Sequence, residues 1–194
     1  MELENIDEVA KLIDVNVLGI YRATLSFIKM IRESKGRIIS TGSVAGIIAQ
    51  AGSSAYSASK FALEGMMDSM RLEMDPFGVS VSIIEPAYVK SRIAGKQVGE
   101  NTPIRKSPAS AEVKELYEDF LETQDSKRIK AEKMATDTKT MSKAIMRALT
   151  DPKPKTRYVV AYFYYIPAFL LTLMYWLLSD RVEDALITYI SKMP

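Results

Sequence analysis

The sequence has no cysteine and no histidine. Without cysteine there are no disulfides, zinc–thiolate sites, iron–sulfur clusters or thiol nucleophiles. Without histidine there is no Ser-His-Asp triad, no imidazole base and little scope for a transition-metal site, so no metal ligands are assigned. Acid–base chemistry must then fall to Asp, Glu, Lys or Tyr. Charge of one sign is also scarce. Lys and Arg number 26 against 24 Asp and Glu, a net charge of +2, and no nucleic-acid partner is expected. The opening MELENIDEVAKLIDVNV is acidic and lacks the basic and apolar regions of a secretory signal. What is abundant is apolar surface. At 194 residues and 47% hydrophobic, the chain can bury the core of one domain with an appendage.

Residues 5–33 carry Val9, Leu12, Ile13, Val17, Ile20, Tyr21, Thr24 and Ile28 near a 3.6-residue period, which predicts one helix ending at Ser34-Lys35-Gly36. Residues 37–41 read as a strand, 42–54 as a Gly/Ser/Ala-rich loop, 55–75 as a helix stopped by Asp75-Pro76-Phe77-Gly78, and 79–85 as a second strand ended by Pro86. Helix and strand in alternation, with short apolar strands, predict an α/β fold with parallel strands covered on both faces. Residues 96–135 are highly charged, with a helix expected from Ala109 to about Lys133. Another fits 137–149 with Asp137 as N-cap, and a short amphipathic helix at 182–192 closes the chain.

Four polar residues stand out: Asn16, Ser43, Tyr56 and Lys60. Tyr56 and Lys60 are four apart on a predicted helix and share one face. A phenol ordinarily ionises near pH 10, and a neighbouring ammonium favours the phenolate. Lowering such a value by about three units takes about 4 kcal/mol and makes the phenol an acid or base near neutrality. Ser43, just past a strand end, could hydrogen-bond a substrate oxygen, and Asn16 could hold a water that relays protons to the lysine.

The segments DVNVLG (14–19), STGSVAG (40–46), YSASK (56–60) and IIEPAYVKS (83–91) resemble the short-chain dehydrogenase/reductase family over about residues 5–95, with a weaker likeness through KTRYVV (155–160). The resemblance implies the C-terminal part of a Rossmann-type, doubly wound parallel sheet with a helical C-terminal extension. It divides the chain into 1–95, carrying the catalytic motif, and 96–194, carrying substrate-lid helices, an edge strand and apolar helices. It implies that Tyr56 is the acid/base, that Lys60 tunes it and binds the nicotinamide ribose, that Ser43 positions the substrate oxygen, and that Asn16 supports a proton relay. Pro86, Ala87, Val89 and Ser91 match the loop holding the nicotinamide end, Val89 through its backbone. Ala87 and Ser91 replace the family's usual Gly and Thr, changes of one methyl group each. The phrase EPAYVKS is most similar to the branch acting on steroids, retinoids and related lipophilic alcohols or ketones. The implied activity is NAD- or NADP-dependent alcohol–carbonyl oxidoreduction.

Members of that family begin with a strand and a Gly-rich turn whose amides cradle the pyrophosphate. No such fingerprint precedes Asn16, and the residue selecting NAD or NADP is absent as well. The expectation is an N-terminally truncated chain. The alternative is a non-catalytic remnant, membrane-associated or dimerising, without a pyrophosphate site. Met66, Met67, Met70 and Met74 read as core or interface packing, since Met fills irregular gaps, and Met66 and Met70 are the candidates for a homodimer contact. Residues 158–179 are uncharged and long enough to span a bilayer, which takes about 20 residues. They also fit a strand RYVVAYF followed by a helix from Pro167 to Leu178, the preferred reading. Either is compatible with an intracellular protein, cytoplasmic or on the cytoplasmic face of a membrane.

Overall fold

The computed structural model describes residues 2–91, 105–163 and 166–192. The expected 95/96 division therefore lies outside the described residues. The predicted first helix is three pieces: α1 (Ile6–Ile13), a π-helical segment (Asp14–Leu18) and α2 (Gly19–Glu33). Asn5 caps α1 by accepting the Asp7 N–H at 2.9 Å, with Asp7 and Glu8 favourably placed in its first turn. Strand β1 (Arg37–Thr41) follows, then a short 3₁₀ turn at Val44–Gly46 and the long helix α3 (Ser54–Met74). A turn over Asp75–Phe77 ends at Gly78, whose φ of 70° suits a residue without Cβ, and leads into β2 (Ser80–Pro86).

The helix expected from Ala109 to Lys133 is broken into α4 (Ala111–Leu116) and α5 (Glu118–Lys133). At the break, Tyr117 packs edge-on against Phe120 and donates its hydroxyl to Glu2 at 3.1 Å. Helix α6 (Thr138–Thr150) is capped by Asp137 as expected, the carboxylate accepting the Lys139 N–H at 2.8 Å. Strand β3 (Arg157–Val160), the two-residue strands β4 (Tyr162–Phe163) and β5 (Ile166–Pro167), α7 (Ala168–Tyr175) and α8 (Asp180–Lys192) complete the described chain.

The main sheet is parallel in the order β1-β2-β3, with Arg37 opposite Ser80 and Ile84 opposite Tyr158. β2 is central, and its residues 81–85 are buried. β3, from the C-terminal half, shares this sheet with the two strands of the N-terminal half. One face packs Ile38, Val81 and Ile83 on Leu63, Met66, Met67 and Met70 of α3. The other packs Ile84 and Tyr158 on Ala144 and Ala148 of α6. This is the helix-covered parallel sheet that the alternation predicts. Met66 and Met70, which fit either core packing or a dimer contact, are 6% and 8% exposed inside this core, because α3 turns that side onto the sheet. A third cluster joins Val44, Ile47 and Ile48 to Ala131, Phe163, Ala168 and Leu171, drawing α5 and α7 over the loop after β1.

The uncharged stretch is thus a strand, a small hairpin and an eight-residue helix. At 1.5 Å per residue, α7 is about 12 Å long, against a hydrocarbon core of about 30 Å. No helix among the described residues is long and apolar enough to cross a membrane.

Candidate active site

Tyr56 lies in the first turn of α3 and Lys60 one turn later. The ammonium is 5.7 Å from the centre of the Tyr56 ring, within range of a cation–π contact. Lys60 Nζ donates to the Thr41 carbonyl at the end of β1, at 2.9 Å. Burial lowers the Lys60 pKa from its ordinary value, and the nearby Glu64 charge opposes that shift. The Tyr56 hydroxyl makes no hydrogen bond among the described residues, and Tyr56 lines a cavity of about 520 Å³. Leu3, Val9, Leu12, Val15 and Ala55 give that cavity apolar walls, and Arg128 of α5 contributes a cation.

Asn16 occupies the middle of the π-helical segment. An inserted residue there rotates the helix face locally, a device common at functional sites. Its side-chain amide donates to Ser59 Oγ at 3.1 Å, and the Ser59 hydroxyl donates to the Tyr56 carbonyl at 2.7 Å. The first helical run is therefore tied to the turn that carries Tyr56. Asn16 also separates two spaces: it borders the Tyr56 cavity and a second one of about 400 Å³ beside β1, lined by Ser40, Thr41 and Lys60. Ser59 escaped the sequence reading, although its place between Tyr56 and Lys60 in YSASK put it on the same turn.

Ser43 lies two residues beyond β1 and is 9% exposed. Its Oγ accepts the Ala45 N–H at 3.1 Å, so its own proton remains for another acceptor. Ser43 lines neither cavity. The loop stays close to α3 because it contains glycines. A Cβ on Gly46 would lie 2.8 Å from the Lys60 carbonyl oxygen, and one on Gly42 would lie 2.8 Å from Ile83 Cδ1. Gly46→Ala should therefore shift the Lys60 turn and cost about 1–3 kcal/mol, the usual price of overpacking. Urea unfolding together with Lys60 side-chain NMR would check both effects.

The segment after β2 is anchored on both sides. The Ala87 N–H donates to the Val160 carbonyl at 3.0 Å, Thr136 N–H to the Tyr88 carbonyl at 2.9 Å, and Lys90 N–H to the Thr136 carbonyl at 2.9 Å. This parallel bridge leaves the N–H and C=O of Val89 itself outside it. Pro86 ends the central strand, and Ser91 is exposed at the limit of the described segment.

An ionic cluster that the sequence reading missed lies beneath the loop. Arg157 of β3 reaches Glu64 at 3.2 Å, Asp68 at 2.8 Å and Glu85 at 3.2 Å. Glu85 is wholly buried and Glu64 nearly so. Burial, and then the neighbouring Glu64 charge, push the Glu85 pKa up to about 8, while Arg157 acts in the opposite direction. Burial raises Glu64 as well. A protonated Glu85 can donate to Glu64, which gives a role to carboxyl oxygens that otherwise have no hydrogen-bond partner. A charged residue within the apolar strand VSVSIIE was the available signal.

The residues present fit one end of a nicotinamide dinucleotide. An ammonium has three donors, and Lys60 spends one on Thr41, leaving two for a ribose diol. The Val89 amide and carbonyl suit a carboxamide.

Comparison with known proteins places the family and the fold. The family model described as short chain dehydrogenase matches residues 1–101. Retinol dehydrogenase 16 of Rattus norvegicus is 30% identical over 95% of this chain and 62% of its own length. Retinol dehydrogenase 5 of Mus musculus is 34% identical over 97% and 59% respectively. A 3beta-hydroxysteroid dehydrogenase of Caenorhabditis elegans is 40% identical over 60% of this chain and 30% of its own. The chain thus spans about three fifths of the retinol dehydrogenases it matches. Among solved structures, a short-chain dehydrogenase from Streptomyces avermitilis shares the fold with a TM-score of 0.66 at 24% identity, over 99% of this chain and 65% of that one. One from Burkholderia cenocepacia in complex with NADP does so at 0.62 and 17%, over 98% and 61%. With its Rossmann-type α/β fold, the chain belongs to the short-chain dehydrogenase family.

Proposed function

We propose that this chain carries the proton-transfer and substrate side of an NAD(P)-dependent oxidoreductase that interconverts a lipophilic alcohol and its carbonyl. The observation that carries the reading is Tyr56, which lines a mainly apolar cavity and whose hydroxyl has no hydrogen bond among the described residues, with Lys60 one turn away on the same helix face. Tyr56 exchanges the proton with the substrate oxygen. Lys60 favours the phenolate electrostatically and offers its remaining donors to a ribose. Ser43 lies outside that cavity, and its hydroxyl proton, not used in accepting the Ala45 N–H, is assigned to the substrate oxygen by the family pattern alone, while Asn16 holds the Tyr56 turn in place through Ser59. Lys60 and Val89, with Pro86, Ala87 and Ser91 beside it, would hold the nicotinamide end. When bound, the dinucleotide supplies or accepts the hydride. The relatives' names, together with the apolar walls, support a retinoid- or steroid-like substrate.

The test is turnover by the purified protein of retinol and of a 3-hydroxysteroid, each with NAD and with NADP, against a small hydrophilic alcohol. Turnover of a lipophilic alcohol at higher kcat/KM than the hydrophilic one supports the reading. Preference for the hydrophilic alcohol refutes the substrate class.

One observation favours the second reading, a non-catalytic protein associated with membrane surfaces. Phe169, Leu170, Leu173, Trp176 and Leu177 of α7 and the turn after it are 41–78% exposed. That face suits shallow burial at the cytoplasmic face of a bilayer. Outward Leu18, Leu25, Phe61 and Leu72, rather than the core methionines, would serve a homodimer. A protein that floats with lipid vesicles and turns over none of these alcohols with either nucleotide would be this second molecule.

A further inference from the structure

Three segments of the candidate site meet around one buried side chain. Glu64 follows Lys60 by one turn of α3, so Tyr56, Lys60 and Glu64 lie on one ridge of the helix. A Cβ on Gly46 would lie 3.2 Å from Glu64 Cγ, and one on Gly42 would lie 3.1 Å from Glu64 Oε1. The loop that carries Ser43 therefore rests on the Glu64 stem at one end and on its carboxyl group at the other. Gly42 directly follows Thr41, whose carbonyl accepts from Lys60 Nζ at 2.9 Å. The third segment is the end of β2, where Glu85 immediately precedes Pro86 and Ala87.

Glu64 is 8% exposed, a depth at which an uncompensated charge is strongly disfavoured. Arg157 compensates it at 3.2 Å, and Glu85 meets the same guanidinium at 3.2 Å. Two carboxyl groups so close to one cation favour holding one proton between them. That leaves one negative charge on the pair, one turn beyond Lys60. A second would oppose the phenolate that Lys60 favours.

The remaining charges on the elements packed around Lys60 are engaged elsewhere. Asp14 of the π-helical segment pairs with Arg22 at 2.7 Å, and Glu8 of α1 with Lys11 at 2.6 Å. Arg37 of β1 donates to the Ala148 carbonyl of α6. Asp68, farther along α3, is held by Arg157 at 2.8 Å and Arg71 at 3.4 Å. Glu64 is the group whose charge opposes the effect of burial on Lys60.

We propose that Glu64 is a positioning residue for the Tyr56–Lys60 pair. Its carboxylate keeps the half-buried Lys60 an ammonium, and Glu85 holds the proton that limits the two carboxyl groups to one negative charge near neutral pH. This rests on the reading of Lys60 as the group that tunes Tyr56.

The test is a ¹³C NMR titration of Lys60 Cε in the purified chain, the resonance being identified by its loss in Lys60→Arg. It needs no turnover. Two variants are compared, Glu85→Gln and Glu64→Gln with Glu85→Gln. In both, residue 85 cannot ionise and so cannot take over the charge lost at residue 64. Glutamine keeps the shape of Glu64, so a packing role alone predicts equal Lys60 midpoints. The double variant is expected to titrate lower than Glu85→Gln by about one pH unit, the low end for loss of a neighbouring opposite charge. Equal midpoints overturn the assignment and leave the Tyr56 reading standing. If the double variant does not fold, the parent decides. Its Lys60 Cε resonance should shift at the pH where Glu85 Cδ titrates, and that step should vanish in Glu85→Gln. No such step overturns the assignment. The expected difference in a protein that turns over none of the alcohols supports the coupling of Glu64 to Lys60 and refutes the catalytic reading instead.

Discussion

Tyr56→Phe should lower kcat/KM for the lipophilic alcohol by about 10²–10⁴-fold, the usual contribution of a positioned acid/base group. The change removes one oxygen and keeps the ring. The 5.7 Å contact with Lys60 uses the ring, and Ser59 bonds the Tyr56 backbone, so both survive. The lost hydroxyl has no partner among the described residues to leave unsatisfied, and Tyr56 is only half-buried. Stability should therefore change by no more than about 0.5 kcal/mol. The loss should fall on kcat more than on KM, because the interaction matters most as the proton moves. Circular dichroism and a urea melt would confirm the fold. Turnover within about threefold of the parent would remove Tyr56 from the chemistry.

The second large effect concerns stability. Arg157→Met should destabilise the chain by about 3 kcal/mol, the low end for a broken buried pair because Arg157 is itself about one third exposed. It strands Glu64 and Glu85 in the core and leaves Asp68 without the guanidinium that lowers its pKa. The pH dependence follows from linkage. Glu85 holds its proton to about pH 8 in the folded chain, against an ordinary value of 4.5. Between those values the native state binds a proton that the unfolded state has released. Stability must therefore fall as pH rises across that window, by at most about 1.4 kcal/mol per unit. Glu85→Gln should flatten this slope and raise the urea midpoint at pH 8. Asp68 works in the other direction, contributing stability above its unfolded pKa that is lost in acid. A urea midpoint that does not change between pH 5 and 8 in the parent would show that Glu85 is not protonated in the native state.

Local order could be read from the chain alone. Helical spacing alone places Tyr56 and Lys60 on one face, since positions four apart on a helix must neighbour each other. Asp137 announced a helix start, and Asp75-Pro76-Phe77-Gly78 a helix stop. The alternation of elements required a helix-covered parallel sheet, and short-range sterics and capping are enough to dictate all of this. Tertiary structure decided the rest, because the partners are far apart in the chain. Asn16 finds Ser59 across 43 residues, and Arg157 reaches Glu64 across 93. Neither pairing leaves a periodic trace. Met66 and Met70 read equally well as core or contact until the sheet covered them. Residues 158–179 have the composition of a membrane span and of a buried strand with its helix. Pairing with β2 resolves the two readings, since the backbone groups of β3 are satisfied in the sheet and the helix that follows is left only eight residues long.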